Sequence, residues 1–470
     1  MTDRHPPHAA SPCSRRELLK GGLAASAAFL AGPAAFWTVG AQSSRTSLVA
    51  ARPSDRPYLD VARKAERWIA SSAQRGPQGT TWPADPSKPE SVQLDLYNGM
   101  PGVVLFYLEL YHVTRDPQAL AEATAGADHL IATLPNDTKT AEAGLYEGLA
   151  GIAYTLELTH RASGDVRYRD AATRALGVIK GDAQPVGSGV EWSASTDIIS
   201  GSAGIGLFLL WANVELGDRE ALQLAVQSGK RLIERGQPER GGTKWLVSPQ
   251  IPRNYPNFSH GTAGVSYFLV SLHRATSDRA FLDAARAGAT YLDALATTTP
   301  NNGRMVFHSE PGNEQLFYLS WCHGPAGTAR LYHRLADATS DHTYRERVGE
   351  FAQAIVDMKV PERSPGFWNN ISRCCGNAGV TEFFIDLHRV TGDARHLAFA
   401  ERVTADTLRR ATEDDGGMKW VQAENRVSPD AVVAQTGLMQ GAGGVGIAML
   451  HLDGAQAKRP PFVVLPDDPF

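Results

Sequence analysis

The sequence predicts an all-α chain closed into an α/α toroid, a ring of seven helical hairpins with seven inner helices, seven outer helices and short β-hairpins at the rim. Three observations lead there. Gly-x-x-Gly recurs seven times, beginning at Gly99, Gly148, Gly201, Gly261, Gly324, Gly376 and Gly441, at intervals of 49 to 65 residues, which is the signature of a repeated structural unit. Each copy opens an apolar run, such as Val103-Val104-Leu105-Phe106-Tyr107-Leu108, apolar on most faces and so an interior helix. Amphipathic segments alternate with these runs, and neither terminal repeat carries the polar face an open solenoid needs at its ends.

The elements follow in chain order. Ser14-Arg15-Arg16-Glu17-Leu18-Leu19-Lys20 precedes the apolar run Gly21 to Trp37 and the small-residue pattern Val39-Gly40-Ala41. The pattern is similar to a twin-arginine signal, an address for exporting folded proteins. The expected organisation is therefore a signal peptide over 1–41, a linker over 42–57, the toroid over 58–455 and a tail over 456–470. A periplasmic or extracellular location follows, with no stable membrane insertion after signal removal. Outer helices are expected over Tyr58–Ala73, Ala119–Leu134, Tyr168–Lys180, Glu220–Arg235, Ala280–Leu295, Tyr344–Met358 and His396–Ala411, where Ala and Leu at helical spacing alternate with Arg, Glu and Asp. Gly241–Trp245, Gly303–Phe307 and Gly416–Trp420 echo one another between outer and inner helices and predict rim hairpins. The proline-rich tail from Lys458 to Phe470 is expected to be loosely ordered.

Composition narrows the partners. With 43% hydrophobic and 20% charged residues the chain can bury a large core, and a net charge of −4 without a block of like charges argues against nucleic acid or an anionic membrane. A monomer is expected. Four cysteines are sparse, yet three of them, Cys322, Cys374 and Cys375, sit just before two of the glycine patterns, in SWCHGPAG and SRCCGNAG. Cys13 would leave with the signal. An odd number of thiols cannot pair completely, and a vicinal Cys374–Cys375 disulfide needs a strained ring. Three thiolates held together leave one corner of a tetrahedral zinc site open, the arrangement of a catalytic metal. Folding before export lets the metal load while the thiols are reduced.

The residue before each glycine pattern is expected to face a shared cavity: Asn98, Glu147, Ser200, His260, His323, Cys375 and Gln440. The exposed N-termini of the inner helices add positive partial charge there, favouring thiolates.

The seven glycine patterns together with Trp321-Cys322-x-Gly324 and Cys374-Cys375-Gly376 resemble the lanthionine synthetase C-like proteins over about residues 58 to 452. That resemblance implies an α/α barrel, a Zn2+ held by Cys322, Cys374 and Cys375, and addition of a peptide cysteine thiol, or a small thiol, to a dehydroamino acid. Cys375 stands where many members have histidine, giving a three-cysteine variant. The resemblance also assigns proton handling to His260, in Ser259-His260-Gly261, and places Asp197 and His323 beside the chemistry. Zinc lowers the pKa of a bound thiol, and an acid such as His260 protonates the enolate that addition leaves.

One departure bears on substrate chemistry. Cyclising members often carry arginine four residues before the Trp-Cys ligand, and this chain has Tyr318 there. No dehydratase or kinase-like region accompanies the toroid. Two other functions stay open on the sequence: an exported carbohydrate-active toroid using paired carboxylates, for which Glu147 and Asp197 are the candidates, and a non-catalytic zinc-bearing module that binds peptides or thiols.

Overall fold

A computed structural model describes residues 55–137, 142–251, 254–308, 316–362, 367–368, 370–424 and 426–470. The signal-like segment and Cys13 lie outside these residues. Among the described residues the helices in chain order are α1 (Pro57–Ser71), α2 (Met100–Thr114), α3 (Pro117–Thr133), α4 (Leu149–Ser163), α5 (Val166–Gly181), α6 (Ser202–Glu215), α7 (Arg219–Arg235), α8 (Thr262–Thr276), α9 (Arg279–Leu295), α10 (Pro325–Thr339), α11 (His342–Asp357), α12 (Asn377–Thr391), α13 (Ala394–Arg409) and α14 (Ala442–Gln456). Odd-numbered helices form the outer layer and even-numbered ones the inner layer.

The two layers begin differently because their N-termini face different surroundings. Six outer helices start on an aspartate, Asp116, Asp165, Asp218, Asp278, Asp341 and Asp393, whose carboxylate accepts a hydrogen bond from a backbone N–H two or three residues on. Such caps satisfy donors that the helix leaves unpaired, and each is worth ~1 kcal/mol. Inner helices start on the first glycine of each pattern, with no side-chain cap. What the second glycine supplies is room. A Cβ on Gly327 would stand 1.8 Å from the Trp321 carbonyl oxygen, and one on Gly379 would stand 2.1 Å from that of Arg373. The preceding loop thus folds directly onto the helix.

Two features close the ring. The first helix packs on the last, α1 on α14, while each inner helix packs on the inner helix of the next repeat and α14 returns to α2. The segments before the inner helices are also linked by a continuous girdle of backbone hydrogen bonds. Tyr97 N–H donates to Tyr146, Tyr146 to Ile199, Ile198 to Ser259, Ser259 to Cys322, Cys322 to Cys374, Cys374 to Met439 and Met439 back to Tyr97, with N···O distances of 2.8 to 3.1 Å. Loops from every repeat are therefore held in one plane at one mouth. The molecule is an α/α toroid.

The six strand pairs are β1–β2 (Gln74–Gly76, Gly79–Thr81), β3–β4 (Gln184–Val186, Gly189–Glu191), β5–β6 (Gln237–Glu239, Gly242–Lys244), β7–β8 (Thr297–Thr298, Arg304–Met305), β9–β10 (Thr412–Asp414, Gly417–Lys419) and β11–β12 (Val421–Ala423, Val432–Ala434), each antiparallel. The first five follow an outer helix and pack against the outer helix of the next repeat, β10 closing onto α1. The sixth borders the mouth that carries the thiols.

The tail departs from expectation. It threads into the ring from the end opposite that mouth, burying Val463, Leu465 and Asp467. Glu109 on α2 accepts hydrogen bonds from the Phe462 and Val463 N–H groups at 3.0 and 2.7 Å. Its prolines end α14 without preventing the alternating Val463 and Leu465 from filling the ring's lower opening. No helix among the described residues is long and apolar enough to cross a membrane.

Candidate metal and active site

The girdle brings the distant cysteines together. Cys322 and Cys374 occupy the same repeat position, two residues before the first glycine, and the Cys322 N–H donates directly to the Cys374 carbonyl at 3.1 Å. Cys375 is one residue further along, so its side chain reaches the same point from an adjacent direction. The three Sγ atoms lie within 4.8 Å of one another and form the one such ligand cluster among the described residues. Cys322 and Cys375 are 3.1 Å apart, and Cys374 and Cys375 3.4 Å. None is in a disulfide. Tetrahedral zinc with Zn–S bonds of ~2.3 Å separates its sulfurs by ~3.8 Å, so the trio matches a metal site after small side-chain rotations.

The electrostatics suit a cation. Burial pushes the Cys322 thiol well above its ordinary pKa. Burial acts on Cys374 in the same direction, but hydrogen bonds from Cys322, Cys375 and Tyr97 outweigh it and hold that thiol well below the usual range. The Tyr97 hydroxyl donates to Cys374 Sγ at 3.0 Å and accepts from Gln440 Nε2 at 2.9 Å. The Cys375 thiol is also pushed well up, and a cluster with one ready thiolate and two reluctant ones has a strong demand for positive charge.

The thiols open onto a cavity of about 160 Å³ shared with His260, His323, Tyr318, Trp368, Glu424 and Gln440. His260 Nδ1 lies 2.5 Å from Asp197 Oδ2. A carboxylate can only accept, so it fixes the ring proton on Nδ1 and leaves Nε2 for the cavity. Burial alone would lower the pKa of His260, but the hydrogen bond and charge of Asp197 prevail and raise it. Asp197 is itself locked, accepting from the Ser200 and Gly201 N–H groups at 3.1 and 2.8 Å. His323 differs. Burial, followed by the charges of His308, His260 and Arg426, drives its pKa well down, so it is a neutral ring at pH 7.

Of the seven residues expected at the cavity, His260, His323, Cys375 and Gln440 line it, Asn98 and Glu147 line separate grooves, and Ser200 stands outside the lining with its N–H given to Asp197. The position one residue earlier supplies as much of the wall: Tyr97, Ile199, Ser259, Cys322 and Cys374. That register shift left Tyr97 unnoticed in the sequence, although it occupies the same repeat position as two of the thiols. His308 was also missed; its ring stacks on those of His323 and Tyr255 at 4.4 and 4.9 Å. The Arg426 guanidinium, from the segment after β11, hydrogen-bonds the Tyr318 hydroxyl and sets a positive charge beside it.

A closed helical toroid with three sulfurs and a His–Asp pair at one mouth defines the class: a toroidal protein with a thiol pocket able to hold a metal ion. The chain belongs to the lanthionine synthetase C-like family, whose model matches residues 90–465. Among relatives, the Danio rerio protein named glutathione S-transferase LANCL1 is 21% identical over 64% of this chain and 71% of its own. Among solved structures, nisin cyclase superposes with a TM-score of 0.60 at 17% identity, covering 86% of this chain and 95% of that one. That likeness is one of fold.

Proposed function

We propose that this protein catalyses thioether formation, adding a cysteine thiol to a dehydroamino acid in a peptide, with zinc held by Cys322, Cys374 and Cys375. The observation that carries this reading is the convergence of three sulfurs and the His260–Asp197 pair on one cavity. Bound among the thiols, zinc supplies the positive charge that keeps an incoming thiol ionised near neutral pH.

The remaining work falls to the chain. The substrate sulfur forms a bond to the β carbon of the alkene, the π pair moves onto the carbonyl as an enolate, and a proton is delivered to the α carbon. His260 is the donor, with Asp197 holding its orientation and stabilising its protonated form. Tyr318, which lines the cavity and is hydrogen-bonded to Arg426, offers its hydroxyl to the enolate oxygen. A cavity of about 160 Å³ is small against the 300–1,000 Å³ typical of ligand sites, so it admits a side chain and not a whole peptide. The rest of the substrate has space in the groove of about 920 Å³ alongside β11–β12, which shares Glu424 with the cavity.

The carbohydrate reading finds less support. Asp197 is committed to backbone N–H groups and to His260, and Glu147 lines a different groove, so the two carboxylates do not face one substrate bond. The non-catalytic reading is separated by experiment. Zinc-loaded wild-type protein should convert a dehydroalanine peptide and a cysteine thiol to thioether, followed by mass spectrometry. His260→Ala should bind zinc equally and lose about 10²–10⁴-fold in rate. A wild-type rate no faster than the uncatalysed addition would leave only the binding module, and an unchanged rate in His260→Ala would remove His260 as the proton donor.

A further inference from the structure

The C-terminal tail touches the first thiol-bearing loop from beneath and is linked to the second through side chains of the inner helices. The fully buried carboxylate of Asp467 accepts hydrogen bonds from Trp321 Nε1 at 2.8 Å and from the Tyr146 hydroxyl at 3.0 Å. Its backbone carbonyl accepts from Arg330 on α10 at 3.0 Å. Trp321 directly precedes Cys322 in the chain, and its ring is fixed by those of Tyr146 and Phe258 at 5.0 and 5.8 Å. Asp467 lies beyond residue 465, where the family match ends.

The second loop is tied by a longer route. Glu109 holds the tail backbone at Phe462 and Val463. His451 stands between Glu109 and Glu382, 3.6 Å from one and 2.8 Å from the other. Glu382 in turn pairs with Arg373, which directly precedes Cys374, at 2.9 Å. All four of these side chains are buried; the two Glu382 contacts are charge-assisted hydrogen bonds, and the 3.6 Å approach of His451 to Glu109 is a desolvated charge pair.

We propose that the tail is a strap that sets the position of the metal-binding thiols, with Asp467 as a positioning residue for Cys322 acting through Trp321. Buried hydrogen bonds one shell behind metal ligands orient those ligands, and losing them costs about 10–100-fold in metal affinity. The indole and its acceptor are both buried. Without Asp467 the indole N–H is an unsatisfied donor, and the Trp321–Cys322 segment relaxes to recover a partner.

The proposal rests on the reading of the three thiols as metal ligands, and its test separates the two. In the full chain, Asp467→Ala and Trp321→Phe are each compared with wild type for zinc affinity by chelator competition and for the thiolate-to-cobalt absorption of the Co2+-loaded protein. Affinity should fall about 10–100-fold in each, and the cobalt bands should shift. The double variant should lose no more than either alone, because both remove the same bond. Asp467→Asn, whose amide oxygen can still accept the indole N–H, should stay within a few-fold of wild type. Alkylation of Cys322 by iodoacetamide in metal-free protein should be faster in Asp467→Ala and Trp321→Phe.

Unchanged affinity, cobalt spectrum and alkylation in folded variants would overturn the strap. If Asp467→Ala does not fold, Trp321→Phe, which removes the donor and leaves a smaller aromatic ring in its place, decides alone. A wild-type protein that takes up no metal would overturn the metal reading instead, and the alkylation rates would still judge whether Asp467 holds Cys322 in place.

Discussion

At the level of single residues, the site is a division of labour among three kinds of ionisable group. The thiols demand a cation, His323 is kept neutral by burial, and His260 is kept protonatable by Asp197. The direction of the His260 shift gives a pH signature. A donor must carry its proton, so the rate should fall as pH rises through the folded pKa of His260, which Asp197 raises above its ordinary value. Asp197→Asn removes the charge that raises that pKa. Its descending limb should therefore move to lower pH, and its maximal rate should drop, in a pH–rate profile of thioether formation. A limb that stays in place would mean that another group supplies the proton.

Helices and loops show why some of this was legible in the sequence. The glycine pattern located every inner helix, and the expected outer helices agree with the structure to within a few residues at each end, because apolar periodicity reports which face is buried. The thiols were visible because cysteine is rare in this chain and sits in register with the repeat. Tyr97 shares that register but is a common core residue, so nothing marked it. Arg426 and His308 come from connecting segments with no repeat to compare. Asp467 was hidden for another reason: prolines in the tail suggested looseness, while the apolar run Phe462-Val463-Val464-Leu465 beside them signalled burial.

The glycine account makes a contrast that melting can test. Gly379 lies in the first turn of α12, behind Cys374 and Cys375, where a Cβ would meet the Arg373 carbonyl oxygen and Ser320 Oγ, both at 2.1 Å, whereas Gly177 in α5 has nothing within 4 Å. Gly379→Ala should destabilise the protein by about 1–3 kcal/mol or more. Gly177→Ala, in an exposed helix interior, should stabilise it by about 0.5–1 kcal/mol. Equal effects would contradict the view that the second glycine is there to make room.

Over the whole molecule, the ring joins two chemically different ends, a thiol mouth above and a buried charge network below. Burial opposes protonation of His451, but Glu382 and Glu109 outweigh it and raise its pKa to about 9, while Glu382 is held down at about 2. The raised histidine contributes stability that is fully present below its unfolded pKa of about 6.5 and is lost as pH rises through about 9. Glu382 acts at the other extreme, its contribution lost as pH falls toward about 2. Two and a half pKa units correspond to about 3 kcal/mol at most. Denaturant titrations should show wild-type stability declining between pH 7 and 10, with a flatter profile in His451→Gln; identical slopes would remove His451 from the network's energetics.

The central claim concerns the ion among the thiols and the corner left free for substrate. Zinc K-edge X-ray absorption of the purified protein reads it directly, before and after adding a cysteine-containing peptide. The account predicts about one zinc per chain, bound by three sulfurs at ~2.3 Å, rising to four when the substrate thiol arrives. A protein without zinc, a metal bound mainly by nitrogen or oxygen, or a sulfur count that the peptide leaves unchanged would contradict it.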